Sequence, residues 1–300
     1  MTTPPVDEAT LPAFTPMGTP CMQPISKPRA MRALLFTAVV LGMVHSGIEA
    51  ADQEPQIFNG IPTADYPALA GLTIQFTGSL GLCSGTLIAP TVVLTAAHCV
   101  ENDPQAVIAS FVVNGTQQDH PVRQIEIYPR RVAGGLEADI AVLQLATPVN
   151  DIVPIPLASV RPRPGSTGTI VGFGEDASGQ IAHRQAGTIR VGRCPAKLRR
   201  AGLSRLRTAV CWRADRGGAG TCPGDSGGPL LVAGAVAGVT VATTSPACGP
   251  SRLDVDTSVA AYRRWIDEQL QPGVAGGTIP LRGIGSTIAR ALGGDTSGDT

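Results

Sequence analysis

The sequence predicts an all-β protein. It contains 36 glycines and 26 prolines among 300 residues, and these residue types favour turns. Between the turn-forming residues lie short apolar runs of strand length, at residues 92–94, 140–143 and 236–241. Because such runs are frequent and short, we expect many strands joined by turns.

Length and composition restrict the partners that the chain can have. The formal net charge is 0 and 43% of the residues are hydrophobic, which is enough for one good-sized core. No excess of positive charge indicates binding to nucleic acid or to an acidic membrane surface. We therefore expect no nucleic-acid partner.

The first 56 residues resemble a leader followed by an export signal. Residues 1–30 are rich in proline and threonine, and we expect them to be disordered or untranslated. Residues 31–50 begin with a charged start and continue with an apolar run, as a signal peptide does. That run is too short for a spanning helix, which needs about 20 residues. We expect a secreted protein without a stable membrane anchor.

The cysteines favour disulfides over a metal site. Cys21 lies in the leader, and six others remain in the exported chain: Cys83, Cys99, Cys194, Cys211, Cys222 and Cys248. An even number in an exported protein indicates disulfides, although six cysteines allow about 15 connectivities. No pair has the close spacing of zinc ligands. We expect neither a metal nor another cofactor.

Three short motifs carry the chemistry. Ser226 lies in the glycine-rich stretch 224–229, His98 lies in 95–99, and Asp139 stands between them. A serine hydroxyl is a poor nucleophile at neutral pH unless a neighbouring imidazole accepts its proton. The imidazole in turn needs a carboxylate that fixes its tautomer and stabilises its charged form. The trio predicts acyl transfer by Ser226, with His98 as base and Asp139 as its orienting partner.

The glycines beside Ser226 predict a second function for that loop. They allow a sharp turn, so that the amides of Gly224 and Ser226 can point together at a developing oxyanion, where each donor contributes roughly 3 kcal/mol. The same stretch also fits the nucleophile elbow of α/β-hydrolases. That fold places its histidine after the serine, whereas all four histidines here precede Ser226. The chain order therefore excludes the α/β-hydrolase alternative.

In order and spacing, the three motifs resemble those of the chymotrypsin/trypsin family of serine endopeptidases. The resemblance covers residues 57–270 and implies two six-stranded antiparallel β-barrels with a C-terminal helix. It also implies peptide-bond hydrolysis at a cleft between the barrels. The disulfides that it implies join Cys83 to Cys99, Cys194 to Cys211, and Cys222 to Cys248.

The resemblance further implies activation by proteolysis. The stretch that begins at Ile57 is similar to the N-terminus of activated family members, so residues 51–56 would be a short propeptide. After cleavage, the new amino group of Ile57 would pair with the carboxylate of Asp225 beside Ser226. The alternative is that Ile57 only opens a first strand.

The substrate pocket departs from the family pattern. Its floor corresponds to Gly220, which carries no carboxylate, so strict specificity for Arg or Lys is not expected. Val241 and Thr243 fall on the strand that pairs with substrate, and Val241 replaces a serine whose hydroxyl supports the catalytic aspartate in the family. The alternative is a register shifted by one residue, in which Thr240 supplies that hydroxyl. Asp254 falls on a pocket wall, where it would admit basic side chains. The alternative is that Asp254 and Asp256 lie on a solvated turn.

The C-terminal part should contain one helix and a tail. Apolar residues repeat at helical spacing between residues 258 and 270, and Thr257 or Ser258 is a candidate N-cap. Residues 271–300 are rich in Gly and Thr and predict a flexible tail. We expect a monomer whose partners are protein or peptide substrates, an activating protease and protein inhibitors. A non-enzymatic binding protein on the same fold is the remaining alternative.

Overall fold

The computed structural model describes residues 15–16, 57–174, 184–215, 218–244, 248–249, 252–271 and 279–280. The predicted signal peptide and propeptide lie outside the described residues, as do most of the leader and the tail. Within the described part of the chain, no helix is long and apolar enough to cross a membrane. Three two-residue strands come first: β1 (Thr15–Pro16), β2 (Ile57–Phe58) and β3 (Ile61–Pro62).

Six antiparallel strands close the first barrel. They are β4 (Leu69–Phe76), β5 (Ser79–Ala89), β6 (Val92–Thr95), β7 (Ala106–Val113), β8 (Thr116–Ile127) and β9 (Ala141–Leu145). The strand order is β8-β7-β4-β5-β6-β9, and β9 pairs back with β8. Fully buried Leu72, Leu94, Phe111 and Leu143 fill its interior.

A second group of six strands closes in the same way. They are β10 (Thr167–Gly172), β11 (Gln185–Gly192), β12 (Ala209–Ala214), β14 (Pro229–Val232), β15 (Ala235–Thr243) and β16 (Asp254–Ser258). The order is β15-β14-β10-β11-β12-β16, and β16 pairs with β15. The short β13 (Gly220–Thr221) pairs with β2. The predicted architecture of two six-stranded barrels is confirmed.

One α-helix, α1 (Val259–Gln269), follows the second barrel. It buries Val259, Tyr262 and Ile266, and these three side chains join an apolar cluster that consists mostly of first-barrel residues and also includes Val236 and Val239 of β15. The helix therefore ties the end of the chain to the first barrel. The last strand, β17 (Ile279–Pro280), pairs with β8.

Of the two candidate N-caps of α1, the structure places Ser258 at that position. Ser258 stands at the N-cap of α1 with extended backbone, yet its hydroxyl makes no capping hydrogen bond. The Thr257 hydroxyl donates instead to the carbonyl oxygen of Asp139, at 2.8 Å. Burial against the first barrel contributes to the stability of the helix.

Candidate active site

Strand pairing brings His98 close to Asp139. Thr95, the last residue of β6, pairs with Ala141, the first residue of β9. The chain continues from Thr95 into a short 3₁₀ helix, Ala97–Cys99, which carries His98. Asp139 stands two residues before Ala141, so both side chains emerge at the same end of the two strands.

Two hydrogen bonds join these residues. The His98 amide donates to Oδ1 of Asp139 at 2.9 Å, and Nδ1 of His98 lies 2.8 Å from Oδ2. The side chains are only 7% and 1% exposed. An ionised carboxylate can only accept, so Nδ1 carries the proton and Nε2 of the neutral ring is left as the basic nitrogen.

Asp139 remains ionised although it is buried. Burial by itself raises the pKa of its carboxyl. The charge and hydrogen bonds of His98 and the charge of Arg131 lower that pKa by more than burial raises it. The net effect is a pKa below the usual value. A buried carboxylate that stays charged can stabilise an imidazolium beside it.

The loop that carries Ser226 is attached to both barrels. The Ser84 amide of β5 donates to the Ser226 carbonyl at 2.7 Å, and the Gly227 amide donates to the Thr240 carbonyl of β15 at 2.9 Å. Sγ of Cys99, the residue after His98, lies 3.8 Å from the Ser226 carbonyl oxygen. Ser226 thus lies next to the turn that carries His98.

Two glycines shape this loop. Gly224 and Gly227 have φ of +89° and +82°, a region that glycine adopts without strain. A Cβ on Gly227 would collide with the Thr95 hydroxyl and the Ser84 carbonyl. The Ser84 hydroxyl also donates to the Gly224 carbonyl at 3.0 Å. The loop conformation is therefore fixed, while the oxyanion role of Gly224 and Ser226 stays a prediction.

Asp225 lies buried in the second barrel. Its Oδ2 accepts from the Cys222 amide at 2.8 Å and its Oδ1 from the Gly174 amide at 3.0 Å. Burial raises the pKa of this carboxyl well above its usual range; the two amide bonds oppose the rise, and the charge of Asp254 adds to it. Gly172 lacks a Cβ that would collide with this carboxylate.

Ile57 is also buried in the second barrel. Its exposed fraction is 0%, and it pairs with Thr221 through β2 and β13. It packs in one apolar cluster with Ile170 of β10 and Ala219. The residue therefore occupies an interior position in the second barrel.

Two threonine hydroxyls bind the carboxylate of Asp254, one of the predicted pocket residues. Thr243 pairs with Asp254 across β15 and β16, and its hydroxyl donates to Oδ1 of Asp254 at 2.7 Å. The hydroxyl of Thr221, which follows Gly220 in β13, donates to Oδ2 at 2.8 Å. Val241 is buried nearby on β15 in an apolar cluster.

The alternative of a solvated turn for Asp254 and Asp256 is wrong. Both residues lie in β16 and have 0% exposure. Oδ1 of Asp256 accepts from the indole N–H of Trp212 at 3.0 Å. Burial raises the pKa of Asp256 well above its usual range, against the effect of the indole bond, and the charge of Asp254 adds to the rise.

The structure contains three disulfides, and they have the pairing that the family resemblance implies: Cys83–Cys99, Cys194–Cys211 and Cys222–Cys248. The first joins β5 to the turn that carries His98. The third joins residues on either side of the Ser226 loop. Two of the three cross-links therefore restrain segments of the candidate site.

Some residues at the site were not predicted from the sequence. The Ser84 hydroxyl, from the first barrel, donates a hydrogen bond to the loop that carries Ser226. The Thr221 hydroxyl donates one to the carboxylate of Asp254. Arg131 contacts Asp139, and Glu101 contacts Arg131. No motif contains these residues, and the only sequence signal is that Glu101 follows His98 closely and Arg131 precedes Asp139 in a polar loop.

Comparisons with known proteins agree with this arrangement. A sequence model described as trypsin matches residues 57–266. The chain belongs to the trypsin family. It is accordingly a serine endopeptidase, a hydrolase of peptide bonds.

Relatives within the trypsin family share about a third of the residues. The chain is 32% identical over 202 residues to a trypsin of Saccharopolyspora erythraea, covering 64% of this chain and 88% of that protein. It is 32% identical over 219 residues to snake venom serine protease 3 of Protobothrops jerdonii, covering 69% and 83%. The solved structure of neuropsin, a serine protease of mouse brain, matches with a TM-score of 0.57 and 26% identity, over 71% of this chain and 99% of neuropsin.

Proposed function

We propose that this trypsin-family chain is a secreted endopeptidase that uses Ser226 as nucleophile, His98 as general base and Asp139 as the orienting carboxylate. The observation that carries the proposal is the doubly hydrogen-bonded His98–Asp139 pair beside the Ser226 loop. It presents a basic Nε2 next to a serine whose loop is held in one conformation.

The reaction follows from these groups. The Ser226 oxygen attacks the substrate carbonyl while its proton moves to Nε2 of His98, and the amides of Gly224 and Ser226 hold the oxyanion. His98 then gives the proton to the leaving amine as the C–N bond breaks. Water, deprotonated by His98, hydrolyses the acyl-enzyme and restores Ser226.

Labelling with a fluorophosphonate tests this assignment. The processed protein should bind the probe at one site and cleave peptide substrates, and Ser226→Ala should remove both signals. Ser79→Ala, an exposed position on β5 outside the proposed machinery, is the matched serine control. A processed, disulfide-intact protein that neither labels nor cleaves would favour the non-enzymatic binding protein instead.

Activation by cleavage between Gln56 and Ile57 is part of the proposal. Asp225 is a buried carboxyl held by two amides, and its burial raises its pKa and disfavours its charged form. A new Ile57 amino group would supply the missing positive charge and hold the loop beside Ser226. Ile57 is already buried in the same barrel, against β10.

A processing site for a sequence-specific protease, placed immediately before Ile57, tests activation. We expect slow labelling of Ser226 before cleavage and fast labelling afterwards. An equal labelling rate in both forms would contradict the zymogen and leave the triad assignment standing.

The pocket supports mixed specificity. Asp254 provides a buried carboxylate at the wall, while Gly220 leaves the floor without charge. We propose that basic P1 side chains are accepted alongside uncharged ones. Asp254→Asn should lower kcat/KM for Arg and Lys substrates by at least about tenfold, the effect of about 1.4 kcal/mol, and spare those with Leu or Phe. An equal loss for both substrate classes would refute the role of Asp254.

Export and a monomeric state complete the proposal. The three disulfides are of the kind that persist in an oxidising compartment. Expression of the full-length chain with a tag at its C-terminus, followed by N-terminal sequencing of the secreted product, would test the signal at residues 31–50. Recovery of the unprocessed chain from the cytoplasm alone would contradict it.

A further inference from the structure

Arg131 is a buried cation in the loop that leads to Asp139. Its side chain is 5% exposed, and its Nε lies 2.8 Å from Oε2 of Glu101. One terminal nitrogen, Nη2, lies 3.2 Å from Oε1 of Glu101, and the other, Nη1, donates to the Gly135 carbonyl. A guanidinium with a bidentate carboxylate and a carbonyl on its donors has one orientation.

That orientation directs the cation at the candidate triad. Nη2 of Arg131 lies 3.4 Å from Oδ2 of Asp139, the same oxygen that faces Nδ1 of His98. Asp139 is therefore held between an imidazole and a guanidinium. Glu101 belongs to the turn after His98, so the ion pair also joins the two segments that carry His98 and Asp139.

We propose that Arg131, oriented by Glu101, is a positioning residue that holds Asp139 toward His98 and tempers the negative charge that His98 experiences. The proposal rests on the function proposed for the triad. The family resemblance implies a hydroxyl that supports this aspartate; Val241 is buried and apolar, whereas Arg131 contacts Oδ2 of Asp139 directly.

The charges of Arg131, Glu101 and Asp139 determine the direction in which each substitution should change the protonation of His98. Arg131 lowers the pKa of Asp139 together with His98, whereas Glu101 partly neutralises Arg131. Other titratable groups near this loop include Glu137, whose carboxylate accepts from Ser204, and Tyr262, whose hydroxyl bonds Thr208 and the Ala138 backbone. Tyr128, whose carbonyl accepts from the Arg131 amide, and the exposed Arg130 lie in the same loop. Removing the cation should make imidazolium formation easier, and removing the Glu101 charge should make it harder.

Two variants with opposite expected effects provide the test. Arg131→Met keeps an apolar stem but loses the charge, and the acid limb of its kcat/KM profile should move to higher pH by about half a unit. Glu101→Gln should move the same limb to lower pH. Misorientation of Asp139 should also lower kcat of Arg131→Met on the order of tenfold, with KM little changed.

Two controls separate this role from a structural one. Arg131→Lys keeps the charge and should restore the position of the limb. Arg130→Met removes the neighbouring, exposed cation and should leave the profile unchanged. If the Arg131–Glu101 ion pair only stabilised the loop, Arg131→Met and Glu101→Gln would both lower the melting temperature, and the acid limbs of their kcat/KM profiles would not move in opposite directions.

The His98 titration, followed by NMR in the Ser226→Ala background, gives a readout that needs no turnover. Opposite displacements in Arg131→Met and Glu101→Gln support the proposal even if the chain hydrolyses nothing, in which case only the proposed function fails. An active enzyme with unchanged titrations in both variants overturns the role of Arg131 and leaves the proposed function intact.

Discussion

The two barrels bury carboxyl groups of the same kind in opposite states. In the first barrel, Asp139 is 1% exposed and its pKa lies below the usual value, because His98 and Arg131 outweigh the effect of burial. In the second barrel, Asp225 and Asp256 have pKa values well above the usual range, because burial outweighs their neutral amide and indole donors. Burial alone therefore does not determine the charge of these groups; the nearby charges do.

The difference has a functional meaning within the proposed mechanism. A carboxylate that must support an imidazolium has to be charged before substrate arrives, and cationic neighbours keep Asp139 so. A carboxyl that waits for a newly formed amino group lacks that cation until cleavage. The second barrel is therefore the part of the molecule that processing should change.

The largest expected effect comes from neutralising the carboxylate of the first barrel. Asp139→Asn should lower kcat by roughly 10⁴-fold, because an amide that donates to Nδ1 would impose the wrong imidazole tautomer. Steady-state kinetics on the processed protein measure this. A loss below tenfold would show that Asp139 does not orient His98, and Asp119→Asn is a suitable control, since Asp119 bonds Ser110 and Gln117 within the first barrel.

Neutralising Asp225 tests the role of the buried carboxyl in the second barrel. Asp225→Asn keeps the shape but cannot pair with a cationic Ile57 amino group, a loss on the order of 3 to 5 kcal/mol for a broken buried pair. Fluorophosphonate labelling after cleavage should then slow by about 100-fold or more, while the uncleaved protein stays as slow as wild type. Faster labelling of uncleaved Asp225→Asn would contradict the prediction.

The raised pKa of Asp256 predicts how stability depends on pH. Above the usual Asp value of 3.8, the unfolded chain releases this proton while the folded chain retains it, so the free energy of unfolding falls as pH rises toward the raised pKa. Asp256→Asn should remove up to about 1.4 kcal/mol per pH unit from that slope. Urea denaturation of the uncleaved Ser226→Ala protein between pH 4 and 7 measures it.

The same measurement with Asp139→Asn, extended below pH 3.8, gives the opposite sign. Because the folded-state pKa of Asp139 is lowered, its contribution to stability is present above the usual value of 3.8 and is lost as pH falls through the lowered one. Asp139→Asn should therefore remove the part of the decrease in the free energy of unfolding at low pH that Asp139 causes. For Asp256, if the free energy of unfolding changed equally with pH in Asp256→Asn and in wild type, Asp256 would ionise in the folded protein as it does in the unfolded chain.

Sequence patterns predicted the parts of this molecule that depend on residue type and order. The strands follow from short apolar runs, and the proposed triad from a nucleophile, a base and a carboxylate in one order. The burial of Asp254 and the ion pair of Arg131 with Glu101 could not be predicted in that way. Both are stabilised by partners distant in the chain. The sequence around a charged residue that lies near glycine and proline does not distinguish a turn from a strand.

The smallest predicted effect compares one turn in each barrel. The β7–β8 hairpin turns through Asn114 and Gly115 and the β14–β15 hairpin through Ala233 and Gly234, all with φ between +49° and +77°. Asn tolerates this left-handed conformation, whereas alanine is strained in it by roughly 1 kcal/mol. Ala233→Asn should therefore raise the free energy of unfolding by about 0.5 kcal/mol, and Asn114→Ala should lower it by a similar amount. Denaturation of the two variants in the Ser226→Ala background measures both, and a change of the same sign in the two would show that side-chain contacts, rather than backbone strain, determine the stability of these turns.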